Sequence, residues 1–170
     1  KEYVVATLHR PSNVDEFLQL KKLIELLRVI AQHKIVVFPV HPRTLSNIKA
    51  WGIEDLVVDY PNLRLISPLG YTDFVTLMRH ADFVITDSGG IQEETTVLGV
   101  PCLTLRTTTE RPVTVDIGSN ILTSPFSKEM YEAIDQLLTG KRKIGSIPPL
   151  WDGKASERIV EVLKTTLWPS

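Results

Sequence analysis

Apolar residues in this chain follow two alternating patterns. Short runs rich in valine and isoleucine are separated by longer stretches in which apolar positions recur every three or four residues. The runs at Tyr3 to Leu8, Ile35 to Val40, Leu63 to Ser67, Phe83 to Thr86, Pro101 to Leu105 and Asn120 to Thr123 predict strands. Between Asp15 and His33, apolar residues at 17, 18, 20, 23, 24, 26, 27 and 30 form one broad face at helical spacing. Further helices are expected at 44–51, 71–80, 91–98, 127–138 and 156–167, with Gly99 as the stop of the fourth of these six. Strands that do not alternate, separated by helices, belong to a parallel sheet covered on both faces. The expected fold is therefore α/β and doubly wound.

Such a sheet binds ligands beyond the carboxyl ends of its strands, where the strand order reverses. Polar residues directly after each strand are therefore the candidates. They are His9 and Arg10 after the first strand, His41 and Arg43 after the second, Ser88 to Gly90 after the fourth, and Arg106 to Arg111 after the fifth. Ser88-Gly89-Gly90 stands where a helix begins, and helix starts present unpaired N–H groups and the positive end of the dipole. Glycines let a bulky anion approach that backbone, and Ser88 can cap the helix or donate its hydroxyl. Glu94 follows one turn later, where a carboxylate can accept from vicinal hydroxyls such as those of a ribose. The plainer reading is that Glu93 and Glu94 only complement the helix dipole. Arg106-Thr107-Thr108-Thr109-Glu110-Arg111-Pro112 is either a solvated loop or a phosphate-facing one, with Arg111 offering a planar fork and Pro112 suited to a first helical position. His9 with Arg10 suits a diphosphate, since arginine carries fixed charge and histidine exchanges protons near neutrality. His41, between Pro39 and Pro42, is a ligand group or a structural histidine.

Composition narrows the classes. With 43 % hydrophobic and 23 % charged residues, the chain is neither disordered nor membrane-spanning in character. A net charge of -1 gives no reason to expect nucleic acid, so an anionic ligand must be captured locally. Cys102 is the single cysteine, cannot form an internal disulfide, and is expected to be a buried hydrophobe. No metal-spaced His/Cys cluster, dinucleotide fingerprint, P-loop or serine nucleophile elbow is present in the sequence, so neither metal nor cofactor is expected. The amino terminus lacks a secretory signal pattern, which places the expected protein in the cytoplasm, and its start at Lys1 without methionine is expected of a piece of a longer protein.

The motifs TLHRPSN at 7–13, FPVHPR at 38–43, TDSGGIQEE at 86–94, GVPCLTLRTTTERP at 99–112 and DGKASERI at 152–159 together resemble the carboxyl-terminal half of non-hydrolysing UDP-N-acetylglucosamine 2-epimerases. The resemblance covers essentially the whole chain. It implies a GT-B arrangement of two Rossmann-like domains, with residues 1–170 as the second, UDP-binding one and the amino-terminal domain absent from this sequence. The family interconverts UDP-GlcNAc and UDP-ManNAc by eliminating UDP to a glycal and adding it back on the other sugar face, in cell-surface polysaccharide biosynthesis. Carried over by position, Ser88, Gly89 and Gly90 hold the diphosphate, Glu94 the ribose, and Arg111 and Arg10 lie near the nucleotide. Phe74 lies against uracil, His9 is the active-site histidine, and His41 with Arg10 matches a second, regulatory UDP-GlcNAc site of some members. The carboxylates that move the C2 proton come from the amino-terminal domain, so this chain alone is expected to bind UDP without epimerising, and the longer protein is expected to form a homodimer. Two departures stand out: Pro11-Ser12 replaces an Arg-Glu pair that often follows the His-Arg motif, and Leu69 replaces a polar residue near the uracil position. Alternatives are a hydrolysing epimerase, a UDP-sugar-dependent GT-B glycosyltransferase, and a non-catalytic nucleotide-binding module.

Overall fold

The computed structural model describes residues 2–58 and 60–167. Strands β1 (Tyr3–Thr7), β2 (Ile35–Pro39), β3 (Leu63–Ile66), β4 (Val84–Thr86), β5 (Cys102–Leu105) and β6 (Asn120–Thr123) form one sheet in the order β3-β2-β1-β4-β5-β6. All neighbouring pairs are parallel, and Val5 of β1 stands opposite Val37 on one side and Val84 on the other. The strand order reverses between β1 and β4, so the crevice of a doubly wound sheet opens between their carboxyl ends.

Alternate residues of β1 explain why its sequence shows no alternation. Val4, Ala6 and Leu8 enter one buried cluster, shared with helix α2 (Phe17–Ala31), while Val5 enters a second with Met78, Ala81, Val84, Ile91 and Val100. Both faces exclude water, so apolar residues are favoured at every position. The second cluster lies under α5 (Tyr71–His80) and α6 (Gly89–Leu98). On the first face, α2 buries Leu20, Leu23, Ile24, Leu26, Leu27 and Ile30 of the face its periodicity marks out, while Phe17 and Leu18 at its start are exposed, and α8 (Lys128–Leu138) adds Met130, Ile134 and Leu137. Each such side chain contributes about 1.5–3 kcal/mol relative to leaving it in water. At the amino end of β4, the buried Asp82 is paired with Lys34 at 2.6 Å and with Arg142.

Some elements differ from the sequence expectation. The helices α1 (Pro11–Val14) and α4 (Asp55–Val58) are a single turn each, too short for a periodic pattern to reveal. The third helix, α3, spans Pro42–Ala50 and starts two residues earlier than expected, because Pro42 is pre-set for a first helical position. Helix α6 begins at Gly89, so both glycines lie inside the helix and not in a turn before it. It ends at Gly99, whose φ of 65° is the left-handed stop expected of a glycine there. A short α7 (Pro112–Asp116) opens at Pro112 as expected, and α9 (Ala155–Leu167) buries none of its residues. Cys102 is fully buried, and burial pushes its thiol up to about 11, which makes it an inert hydrophobe at neutral pH. No described helix is long and apolar enough to cross a membrane.

Candidate active-site crevice

The carboxyl ends of β1 and β4 are held together by a residue that sequence reasoning passed over. Asp87 directly follows β4, is fully buried, and receives the backbone N–H of His9 at 3.0 Å, that of Arg10 at 3.0 Å, and the Asn13 side-chain amide at 3.0 Å. His9 Nδ1 lies 2.9 Å from its other oxygen. Burial pushes the Asp87 carboxyl up, but the hydrogen bonds from His9, Arg10 and Asn13 outweigh it and hold the group below the ordinary carboxylate value. Arg10 completes the tie by donating Nε–H to the Asp87 carbonyl at 2.9 Å. The only sequence signal for this hub was an acid placed between a buried strand and a helix start.

Immediately after Asp87, the amino terminus of α6 faces the crevice. Ser88 is the N-cap in extended conformation, but its side chain makes no capping bond; its own N–H is taken by Thr86 Oγ1 at 3.0 Å. Of the two roles open to the Ser88 hydroxyl, capping is not the one the geometry uses. Neither Gly89 nor Gly90 has positive φ, so backbone conformation does not require glycine at either position. Packing does not require it either, since a Cβ on Gly90 would meet no protein atom within 4 Å. A Cβ on Gly89 would meet only Glu110 Oε2, at 3.8 Å. What the two glycines provide is open space before unpaired helical N–H groups.

The 106–111 loop closes one side of this space. Arg106 forks onto Glu110 at 2.7 and 2.8 Å, and Arg10 reaches the same carboxylate at 4.0 Å. The Arg106 hydrogen bonds dominate and pull the Glu110 pKa down to about 2, so it is ionised at neutrality. Two guanidinium groups thus face one carboxylate at the mouth of the crevice. The loop is anchored from below by Gln92, another residue missed in the sequence. Its buried amide donates to the Ser88 carbonyl at 3.1 Å and accepts from Thr109 Oγ1 at 2.6 Å and Asn120 Nδ2 at 3.2 Å. Arg111 pairs with Glu93 at 2.8 Å, which fixes the loop to the second turn of α6.

Grooves on either side complete the site. His9 and His41 are neighbours with ring centroids 5.7 Å apart, and they line a groove of about 330 Å³ with Pro68, Leu69 and Phe74. Across Arg10, a second groove of about 320 Å³ is lined by Asn13, Arg106, Thr107 and Thr108. Glu94 lines a third, apolar groove of about 310 Å³ with Tyr71, Val75, Val97 and Trp151. Burial, with the adjacent Glu93 charge, holds the Glu94 carboxyl above its ordinary value. The structure thus brings His9, Arg10, His41, Phe74, Ser88, Gly89 and Gly90 around one crevice. Glu94 and Arg111 stand on its α6 flank. No group of three or more His, Cys, Asp or Glu side chains that could hold a metal occurs among the described residues.

The model of the UDP-N-acetylglucosamine 2-epimerase family matches residues 1–164. The chain belongs to that family. A UDP-N-acetylglucosamine 2-epimerase of Methanocaldococcus jannaschii is 39 % identical over 164 residues, covering 95 % of this chain and 44 % of that protein. The crystal structure of the M. jannaschii enzyme in complex with UDP-GlcNAc and UDP superimposes with a TM-score of 0.82 at 39 % identity, over 96 % of this chain and 45 % of that one. A Pseudomonas aeruginosa relative, a UDP-2,3-diacetamido-2,3-dideoxy-D-glucuronate 2-epimerase, is 34 % identical over 162 residues, covering 95 % of this chain and 44 % of its own. This epimerase-family chain therefore spans less than half the length of these relatives.

Proposed function

We propose that residues 1–170 form the UDP-holding unit of an enzyme that interconverts UDP-GlcNAc and UDP-ManNAc by inversion at C2, through elimination and re-addition of UDP. The observation that carries this reading is the start of α6, where two glycines that neither conformation nor packing requires leave room before unpaired N–H groups at the strand-order switch. A diphosphate fits that chemistry, taken by the Ser88 hydroxyl and the N–H groups of Gly89 and Gly90, with Arg10 and Arg111 supplying positive charge. Glu94 takes the ribose hydroxyls, and Phe74 takes uracil with the backbone at Leu69 in place of a polar side chain. His9 exchanges a proton with the departing and returning UDP. His41 with Arg10 is the place for a second, regulatory UDP-GlcNAc.

The names of the M. jannaschii and P. aeruginosa relatives share UDP and epimerisation at C2 but differ in the sugar. Support is thus strongest for the nucleotide. The groups that move the C2 proton lie outside this unit in the proposed scheme, and the longer protein forms a homodimer and works in the cytoplasm. Calorimetric titration with UDP tests the core of the reading. Binding by the wild-type chain, and loss of at least tenfold in affinity in both Glu94→Ala and Arg111→Ala, is expected. Unchanged affinity in both sinks the site, and sustained UDP-GlcNAc epimerisation by the 170 residues alone sinks the division of labour.

A further inference from the structure

The buried carboxylate of Asp87 has more partners than a loop tie needs. Two backbone N–H groups and the Asn13 amide already join the β1 and β4 ends through it, yet its Oδ1 also faces the His9 ring at 2.9 Å from Nδ1. We infer that Asp87 is the positioning residue of His9: it holds the imidazole proton on Nδ1 and thereby reserves Nε2 for the groove that His9 lines with His41, Leu69 and Phe74. This inference rests on the placement of His9 in the UDP site proposed above. An ionised carboxylate accepts hydrogen bonds only, so the nitrogen facing it must carry the proton. Burial pushes the Asp87 carboxyl up, but the hydrogen bonds from the His9 side chain, the Arg10 N–H and Asn13 outweigh it and hold the group below its ordinary value.

With Nδ1 committed, Nε2 is the single ring position through which a proton can be taken from, or returned to, a ligand in the groove. A neutral ring in the opposite tautomer would set two acceptors, Nδ1 and Oδ1, against each other at 2.9 Å. The imidazole plane is fixed by the same contact, because the His9 N–H is bound to the same carboxylate as its ring.

The test is long-range ¹H–¹⁵N NMR of the uniformly labelled 170-residue chain at pH about 8.5, above the ordinary histidine range. His9→Gln identifies the His9 ring signals among those of the four histidines. A proton on Nδ1 in the wild type, lost to Nε2 or to a mixture in Asp87→Asn, is the expected result. Asn13→Ala removes another partner of the carboxylate without touching the ring and is expected to leave the proton on Nδ1. A wild-type ring protonated at Nε2 alone, or an unchanged tautomer in a folded Asp87→Asn, overturns the inference. Should Asp87→Asn not fold, the wild-type spectrum decides by itself. Absence of UDP binding in a chain with His9 protonated at Nδ1 sinks the proposed nucleotide site and leaves the positioning intact, so the two failures are distinguishable.

Discussion

Replacing Gly90 by alanine separates what the fold needs from what a ligand needs. The added methyl meets no protein atom within 4 Å, and the residue is helical without positive φ. Alanine is favoured over glycine by about 0.8–1 kcal/mol in a helix interior and by less in a first turn, so Gly90→Ala is expected to leave stability unchanged or raise it slightly. The same methyl projects into the space before the N–H groups at the start of α6. A hydrogen bond from such a donor to a charged group is worth about 1.5–3 kcal/mol. Displacing a diphosphate from one of them costs about 1.5 kcal/mol, and affinity falls about tenfold. A bulkier Gly90→Val is expected to abolish measurable UDP binding. Urea unfolding and UDP calorimetry on the same preparations give both numbers. A Gly90→Ala chain that binds UDP within about twofold of wild type would show that the glycine is not making room for the ligand. Destabilisation by more than about 1 kcal/mol would show that the space is not free.

Gly118 provides the opposite case, since a Cβ there would lie 2.5 Å from Thr96 Oγ1 and 2.6 Å from the Thr114 carbonyl. Gly118→Ala is expected to cost about 1–3 kcal/mol in urea unfolding, because the neighbours are packed backbone and a buried side chain. Gln92→Leu leaves the Ser88 carbonyl and the Thr109 hydroxyl without the partners at 3.1 and 2.6 Å, and is expected to lower stability by about 1–3 kcal/mol and to weaken UDP binding through the freed 106–111 loop. Glu94→Gln has a pH-dependent signature. The Glu94 carboxyl is raised by burial and by Glu93, so its protonated form adds stability below the unfolded value of about 4.3 that is lost as pH rises through the folded value. The variant is therefore expected to melt higher than wild type at pH 7 and at the same temperature near pH 3, while binding UDP more weakly; an equal melting temperature at pH 7 counts against the desolvation.

Much of the fold was legible in the chain because burial leaves a periodic trace. The strands run unalternating since both sheet faces are covered, and α2 carries its apolar stripe where it packs on β1. Gly99 and Pro112 act locally, through φ alone, and their roles as helix stop and helix start could be read from residue type. One-turn helices such as α1 and α4 left no such trace. The site divides in the same way. His9, Arg10, Ser88, Gly89 and Gly90 were visible as polar or small residues following strands. Asp87 and Gln92 were not, because each acts through partners distant in sequence, Asp87 with His9 78 residues away and Gln92 with Thr109 and Asn120, 17 and 28 residues away.

By itself the sequence determined which segments bury, which residue types end each strand, and through its motifs which family the chain resembles, since these depend on local pattern and composition. Tertiary structure alone decided that the strand order reverses between β1 and β4, that Asp87 joins their ends, and that the α6 glycines face open space and not a neighbour. Those facts depend on which distant backbones lie side by side, and a one-dimensional pattern holds no record of that. The Asp87–His9 contact shows the difference most plainly: His9 stood out by its place after a strand and Asp87 did not, and their shared chemistry exists only because parallel pairing places Thr7 opposite Thr86.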